Sequence, residues 1–484
     1  MNFAHQQVQD LTRRHFLNGC QVGLGSMALA SMQQQNAAAD QSTSGNRPYA
    51  ARTHHEPKAK SVIYVHMAGS PSQLDLFDYK PLLVRNHEKP CPQEYLDGQR
   101  FAFIKGHPQL LGTPHRFRQH GEAGQWMSNL LPHLSGVVDE LAIVRSMNTN
   151  QFNHAPAQLY IHTGMQRIGW PSMGSWITYG LGSENRDLPG FVVFVSGNKA
   201  PSAGKTVWGS GFLPTVYQGV QCRTQGDPVL YVSNPDGMNR AGRRRSLDAI
   251  RDLNQIQAKE FGDPETDTRI AQYELAYRMQ VAVPEVMDIS KETKQTLDLY
   301  GAAPGQPSFA NNCLLARRLV EQGVRFVQLY DWGWDAHGTG PHDDIMHQLP
   351  KKCRETDQPL AALITDLKQR GMLDETLIVW GGEFGRTSMN EKRNGSNFLG
   401  RDHHPHAFTM WMAGGGIKPG VAHGSTDDLG YFAAENKMTV RDLQATILHL
   451  TGLDPYRLNQ KFQGLEARLI GPADGPRVVK EILA

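Results

Sequence analysis

The chain has 484 residues, 39% of them hydrophobic and 20% charged, with a formal net charge of +2. This composition excludes a mostly disordered chain, and the lack of long basic or acidic blocks argues against nucleic acid as the main partner. The length suits one large α/β domain or two ordinary ones.

Thr12-Arg13-Arg14-His15-Phe16-Leu17 reads as a twin-arginine (Tat) export signal, followed by a weakly apolar stretch from Gly19 to Met32. Ala37-Ala38-Ala39-Asp40 offers a small-residue cleavage site, so residues 1–39 are assigned to a signal peptide. The apolar stretch is shorter than the roughly 20 residues a membrane span needs, and no stable span is expected. Export by this route makes the Tat translocase a transient partner and implies a periplasmic or extracellular destination. Residues 40–58 are polar and read as a linker, and 59–484 as a single domain. Outside the signal, Cys91, Cys222, Cys313 and Cys353 lack metal-ribbon spacing, and one or two disulfides are compatible with export.

Short apolar runs predict strands at Ser61–His66, Leu141–Val144, Phe191–Val195, Arg325–Tyr330, Thr376–Trp380 and Ala407–Met412. Helical patterns occupy 241–260, 266–290, Asn311–Gln322, Thr356–Arg370 and Thr439–Thr451. This alternation predicts an α/β fold with a mostly parallel sheet. The basic run Arg243-Arg244-Arg245 reads as a solvated helix face. Ala203-Gly204-Lys205-Thr206 is not a P-loop, because the required earlier glycine is Lys199.

Ligands of open α/β sheets bind at the carboxyl ends of the strands, and four polar clusters fall there. Asp75 and Asp78 follow the first strand. Asn153-His154-Ala155-Pro156 follows the second, with Asn153 as a helix N-cap and His154 at a helix start that favours an anion. Asp335 and His337 follow Arg325–Tyr330 and are spaced to share a metal, with Trp332 and Trp334 as walls. Glu383-Phe384-Gly385-Arg386 follows Thr376–Trp380, and Arg401-Asp402-His403-His404-Pro405-His406 precedes the last strand. Arg386 and Arg401 are candidates for binding an oxyanion.

These motifs resemble the Tat-exported family known as domain of unknown function 1501, over nearly the whole mature chain. The resemblance rests on Gly69 to Pro81, Asn153-His154 to Gly164, Trp334-Asp335-Ala336-His337-Gly338, Gly382 to Thr387 and Gly400 to His404. More distantly, the chain is similar to the alkaline-phosphatase and sulfatase superfamily. That likeness implies a three-layer sandwich with a mostly parallel central sheet and helices on both faces. His154 falls on the sulfatase cysteine, Gln158 replaces the signature arginine, and Glu383 and Phe384 fall on two metal-binding positions. Formylglycine chemistry is therefore absent. The late histidine ligand would be His404 or His406.

The resemblance implies a metal-dependent hydrolase of sulfate or phosphate esters, acting on an anionic ester, with a polysaccharide or envelope polymer as the substrate class. Asp75, Asp335, His337, Glu383, Asp402, His403 and His404 form the expected ligand set for a divalent ion, zinc, manganese or calcium. His154 is the expected acid/base or nucleophile, with Thr149 an alternative nucleophile, and Arg386 and Arg401 neutralise the oxyanion. The alternative is a non-catalytic envelope protein that binds a metal and an anion.

Overall fold

The computed structural model describes residues 53–484 apart from 198, 224–227, 230–233, 235–236 and 262–263. The export-signal reading lies outside the described residues. The predicted apolar runs all become strands, because their β-branched and aromatic side chains fit a pleated surface buried on both sides.

In chain order the main elements are β1 (Ser61–Ala68), β2 (Ala142–Asn148), α1 (His154–Thr163), α2 (Met173–Leu181), β3 (Phe191–Ser196), β4 (Val220–Gln221), α3 (Arg240–Phe261) and α4 (Pro264–Met287). They continue with α5 (Phe309–Glu321), β5 (Phe326–Trp332), α6 (Gln348–Gln369), β6 (Thr376–Gly381), β7 (Phe408–Ala413), β8 (Val421–His423), β9 (Met438–Thr439) and α7 (Val440–Leu450). One sheet runs β8-β2-β7-β6-β1-β5-β3-β4, with β9 beside β2. Only β7 is antiparallel to its neighbours, β2 and β6. In the centre, His66 of β1 stands level with Tyr330 of β5 and Gly381 of β6, so three strands end together.

Alternation along β1 divides the interior. Ile63, Val65 and Met67 join one core with Leu314 of α5 and Leu363 of α6. Val62 and Tyr64 join the other with Ile161 of α1, Ile177 of α2 and Leu443 of α7. The result is a three-layer α/β sandwich. Among the described residues no helix is long and apolar enough to cross a membrane.

Local chemistry sets the boundaries. α7 opens with a capping box in which Thr439 and Asp442 satisfy each other's backbone amides. α6 starts at Gln348, earlier than the expected Thr356, because the Asp344 carboxylate accepts from the amides of His347 and Gln348. Near the start of the described residues, the His54 amide donates to the Gly452 carbonyl at 2.8 Å. Arg244 is paired with Asp248 and Glu274 on the α3–α4 surface, as a solvated face would be.

The disulfide expectation is corrected. Cys91, Cys222, Cys313 and Cys353 are free and buried. They pack as small apolar residues, and burial pushes the thiols of Cys91 and Cys222 up to about 11 and about 12.

Leu329 lies in the middle of β5 and is fully buried. Leu329→Ala should lower the unfolding free energy by about 2–5 kcal/mol, read from the denaturation midpoint, because the rigid sheet cannot collapse onto the cavity.

Candidate metal centre

The site lies where β1, β5 and β6 end and α1 begins. Close backbone approach assembles it. Gly69 has φ +102°, and a Cβ there would stand 2.7 Å from the Asp335 amide nitrogen. A Cβ on Gly400 would stand 1.9 Å from the His337 carbonyl carbon. Only glycine lets these loops touch. A short antiparallel ribbon pairs His403 with Arg386 and His404 with Gly385. It carries His403 and Arg386 to the same point.

That point is the Asp335 carboxylate. Oδ1 lies 2.8 Å from His337 Nε2 and 3.3 Å from His403 Nε2, and it accepts from Arg386. Oδ2 lies 3.2 Å from His154 Nε2. One ligand atom from each of His154, Asp335, His337 and His403 lies within 4.8 Å of the others.

The far side of each imidazole is also occupied. His154 Nδ1 donates to Glu383 Oε1 at 2.7 Å, and His403 Nδ1 donates to the Phe152 carbonyl at 2.7 Å. His337 Nδ1 donates to Glu391. With a proton on each Nδ1, a neutral ring turns its Nε2 lone pair toward Asp335. Three lone pairs and a carboxylate are acceptors facing one another, and they need a cation or an added proton between them. The Nε2 of His154 is buried without a hydrogen-bond partner. This carboxylate or carbonyl behind the ring is the arrangement that orients metal-ligating histidines.

The charge balance leaves the same choice between a cation and a proton. Asp335, Glu383 and Glu391 are three carboxylates, and their guanidinium partners are Arg386 and Arg393. With neutral imidazoles the cluster carries an excess negative charge. Burial disfavours a charged His154, but the Asp335 and Glu383 carboxylates beside it outweigh this and push its pKa up to about 9. Burial would raise the Asp335 and Glu383 carboxyls. Arg386 and the surrounding imidazoles reverse this for Asp335, and His154 and His66 reverse it for Glu383, so both lie well below the usual range. Burial draws His403 the other way, lowering it to about 4.

The remaining expected residues fall elsewhere. Asp75 is not brought to the cluster. It is fully buried in a two-point pair with Arg401, with Nε to Oδ2 at 2.7 Å and Nη2 to Oδ1 at 3.2 Å. The third Arg401 nitrogen donates to the carbonyls of Leu111 and Thr387. Arg386 is equally occupied, donating to Ser70, Gly69, Arg401 and Asp335. All three nitrogens of Arg386 and all three of Arg401 are thus already hydrogen-bonded within the protein, so both act as buried braces. Glu383 stands behind His154, also accepting from Gln158 at 3.0 Å and lying 3.2 Å from His66 Nε2.

Asp402 accepts from the amides of Phe103, Ile104 and His403, although it also lies within 4.8 Å of His337 and Glu391 as a second trio. His404 points away from the cluster, to the Tyr431 carbonyl, and burial lowers its pKa to about 3. Neighbours on a strand face opposite sides, so the ribbon that delivers His403 must withdraw His404. His406 bonds Gln99. The Thr149 hydroxyl accepts from the Gln151 amide. Glu391, Phe152 and His66 were not anticipated from sequence. Each acts through a partner distant in the chain, and no local spacing marks it.

The profile of the family described as "Protein of unknown function (DUF1501)" matches residues 59–483. No curated protein matches the sequence. Among solved structures, the chain is similar to a sulfatase from Pseudoalteromonas sp., with 12% identity, a TM-score of 0.36, and coverage of 94% of this chain and 77% of that one. It is similar to TAB5 alkaline phosphatase at 10% identity and TM-score 0.35, covering 82% of this chain and 99% of that one. It is also similar to a phosphonate monoester hydrolase from Silicibacter pomeroyi at 11% identity and TM-score 0.33, covering 81% of this chain and 73% of that one.

The bracing role of Arg401 has a measurable signature. Arg401→Ala leaves Asp75 buried and unpaired and should cost about 3–5 kcal/mol of stability in urea unfolding. The double variant Asp75→Leu/Arg401→Met removes both charges and should lose clearly less than Arg401→Ala alone.

Proposed function

The chain belongs to the family described as protein of unknown function (DUF1501), and from that premise we propose that it is an exported, divalent-metal-dependent hydrolase of sulfate or phosphate esters. The observation that carries this reading is the convergence of three imidazole Nε2 atoms on Asp335, each ring held from behind by a carboxylate or carbonyl. The two imidazole nitrogens and one carboxylate of His337, His403 and Asp335 suit zinc or manganese better than calcium. The sequence Thr12-Arg13-Arg14-His15-Phe16-Leu17 supports export.

Asp335, His337 and His403 would hold the ion. Bound there, a divalent ion supplies Lewis-acid polarisation of an ester oxygen. His154 is set apart from the other two imidazoles. It faces Oδ2 rather than Oδ1 of Asp335, and its side chain is 15% exposed against 5% for His337 and 3% for His403. This suits it to hold the proton at Nε2 that a leaving alkoxide needs, or to accept one from water. Glu383 fixes the ring, and Arg386 fixes Asp335. The rings of Trp332 and Phe384, 5.9 and 5.1 Å from His154, limit water around it.

A second reading is a metal- and anion-binding protein without turnover. Phe384 favours it, because an aromatic ring stands where the superfamily pattern has a second metal ligand.

The mature protein should contain tightly bound divalent metal by elemental analysis. His337→Ala and His403→Ala should lose it, and Glu391→Gln should weaken it about 10–100-fold. Metal-free protein with no thermal shift on adding zinc or manganese would sink both readings. In a hydrolysis screen of aryl sulfates, phosphomonoesters and phosphodiesters, His154→Ala should keep the metal and lower kcat/KM by about 10²–10⁴-fold. A metal-loaded protein that turns over none of these esters would support the binding reading. Periplasmic fractionation tests export, and loss of periplasmic protein in Arg13→Lys/Arg14→Lys is the expected result.

A further inference from the structure

A cleft of about 760 Å³ opens beside the histidine cluster, with Phe103, Lys105, His107, Gln109, Lys392 and Arg393 among its walls. Two of its wall residues, Phe103 and Glu391, contact histidines of the metal centre. The Phe103 ring lies 5.0 Å from the His337 ring and 5.6 Å from that of His403. Glu391, also on the wall, is the carboxylate behind His337. Phe103 and Glu391 therefore place the cleft next to His337 and His403.

The lining carries excess positive charge. Lys105, Lys392 and Arg393 stand against one carboxylate, Glu391, which is buried and already bonded to His337 and Arg393. Lys392 Nζ donates to a neutral acceptor, Gln109 Oε1, at 2.6 Å. Lys105 has no ion pair among the described residues. The Arg393 guanidinium lies 3.5 Å from the centroid of the Phe103 ring, which holds it at the cleft wall. Lys392 has a positive φ, +48°, a costly backbone for a long side chain that persists where surrounding structure enforces it. Cations gathered in a concave surface focus their field on an anion.

We propose that this cleft is a subsite for a second oxyanion group, sulfate or phosphate, on the same substrate molecule, so that the substrate is a polyanion rather than a simple monoester. The inference rests on the hydrolase reading for the identity of the first group, but the subsite binds through its own lysines. Its cations pair with the neighbouring oxyanion and set the register of the chain, while the ester to be cleaved lies at the histidines.

The test is calorimetric titration of the mature protein with three probes: a sulfated dextran oligosaccharide, a polyphosphate of similar charge, and uncharged dextran. Each titration is run with and without prior metal removal by chelator. At least one polyanion should bind, uncharged dextran should not, and affinity should fall as added salt screens the lysines. Lys105→Ala/Lys392→Ala should weaken polyanion binding at least about tenfold, the equivalent of about 1.4 kcal/mol. Both side chains are exposed, and an unchanged Tm and metal content show that the variant is folded. Lys105→Arg/Lys392→Arg should retain binding. Preference for the sulfated or the phosphate probe identifies the oxyanion, and either supports the subsite. Equal binding of uncharged dextran, no binding of either polyanion, unchanged affinity in the alanine variant, or loss of all binding on metal removal would each overturn it. Metal analysis and the ester screen remain independent, so failure of the cleft leaves the hydrolase reading standing, and failure of that reading leaves the titration interpretable.

Discussion

The Asp335 carboxylate is the constraint on which the rest of the site depends. It draws His154, His337, His403 and Arg386 from four separate stretches of chain to one point. Such a charge is costly to bury without partners, and each partner is itself held in place. Glu383 holds His154, Glu391 holds His337, the Phe152 carbonyl holds His403, and the carbonyls of Gly69, Ser70 and Arg401 hold Arg386. The first contacts and those behind them are thus a single hydrogen-bonded network. Displacing one member leaves a buried charge or lone pair without a partner.

The surrounding scaffold follows the same logic with different chemistry. Asp75 and Arg401 are fully buried and bridge the loop after β1 to the ribbon that carries His403. Lys352 pairs with Asp331 at 2.7 Å and ties α6 to the end of β5. A buried pair contributes little net stability against a well-packed apolar replacement, but it penalises alternative arrangements that would part its members. These pairs therefore fix where the loops lie. The close contacts at Gly69 and Gly400 act together with them, because a side chain at either position would push the loops apart.

The surroundings of His154 are engaged throughout. His154 is held by Glu383 at the start of α1. Gln158 uses both ends of its amide, donating to Glu383 and accepting from the Ala203 amide at 3.1 Å. Phe384 packs its ring 4.5 Å from His403. A neutral amide and an aromatic ring thus surround the His154–Glu383 imidazole–carboxylate pair.

Much of this was legible in the sequence. Apolar runs and helical periodicity determined the order and type of the central strands and helices, since burial on both sheet faces demands continuous hydrophobic strands. The motifs after those strands marked His154, Asp335, His337 and His403, because strand ends in such sheets face the ligand. Tertiary structure decided which nearby polar residues join them. Asp75 and His404 carry suitable donors at plausible spacing, yet a buried arginine claims one and the alternation of a two-residue strand turns the other away. Glu391 gains its place from contact with a residue far along the chain. Sequence spacing specifies which face of an element a side chain occupies. The partner across a loop contact depends on how separate segments pack, and only the folded chain sets that.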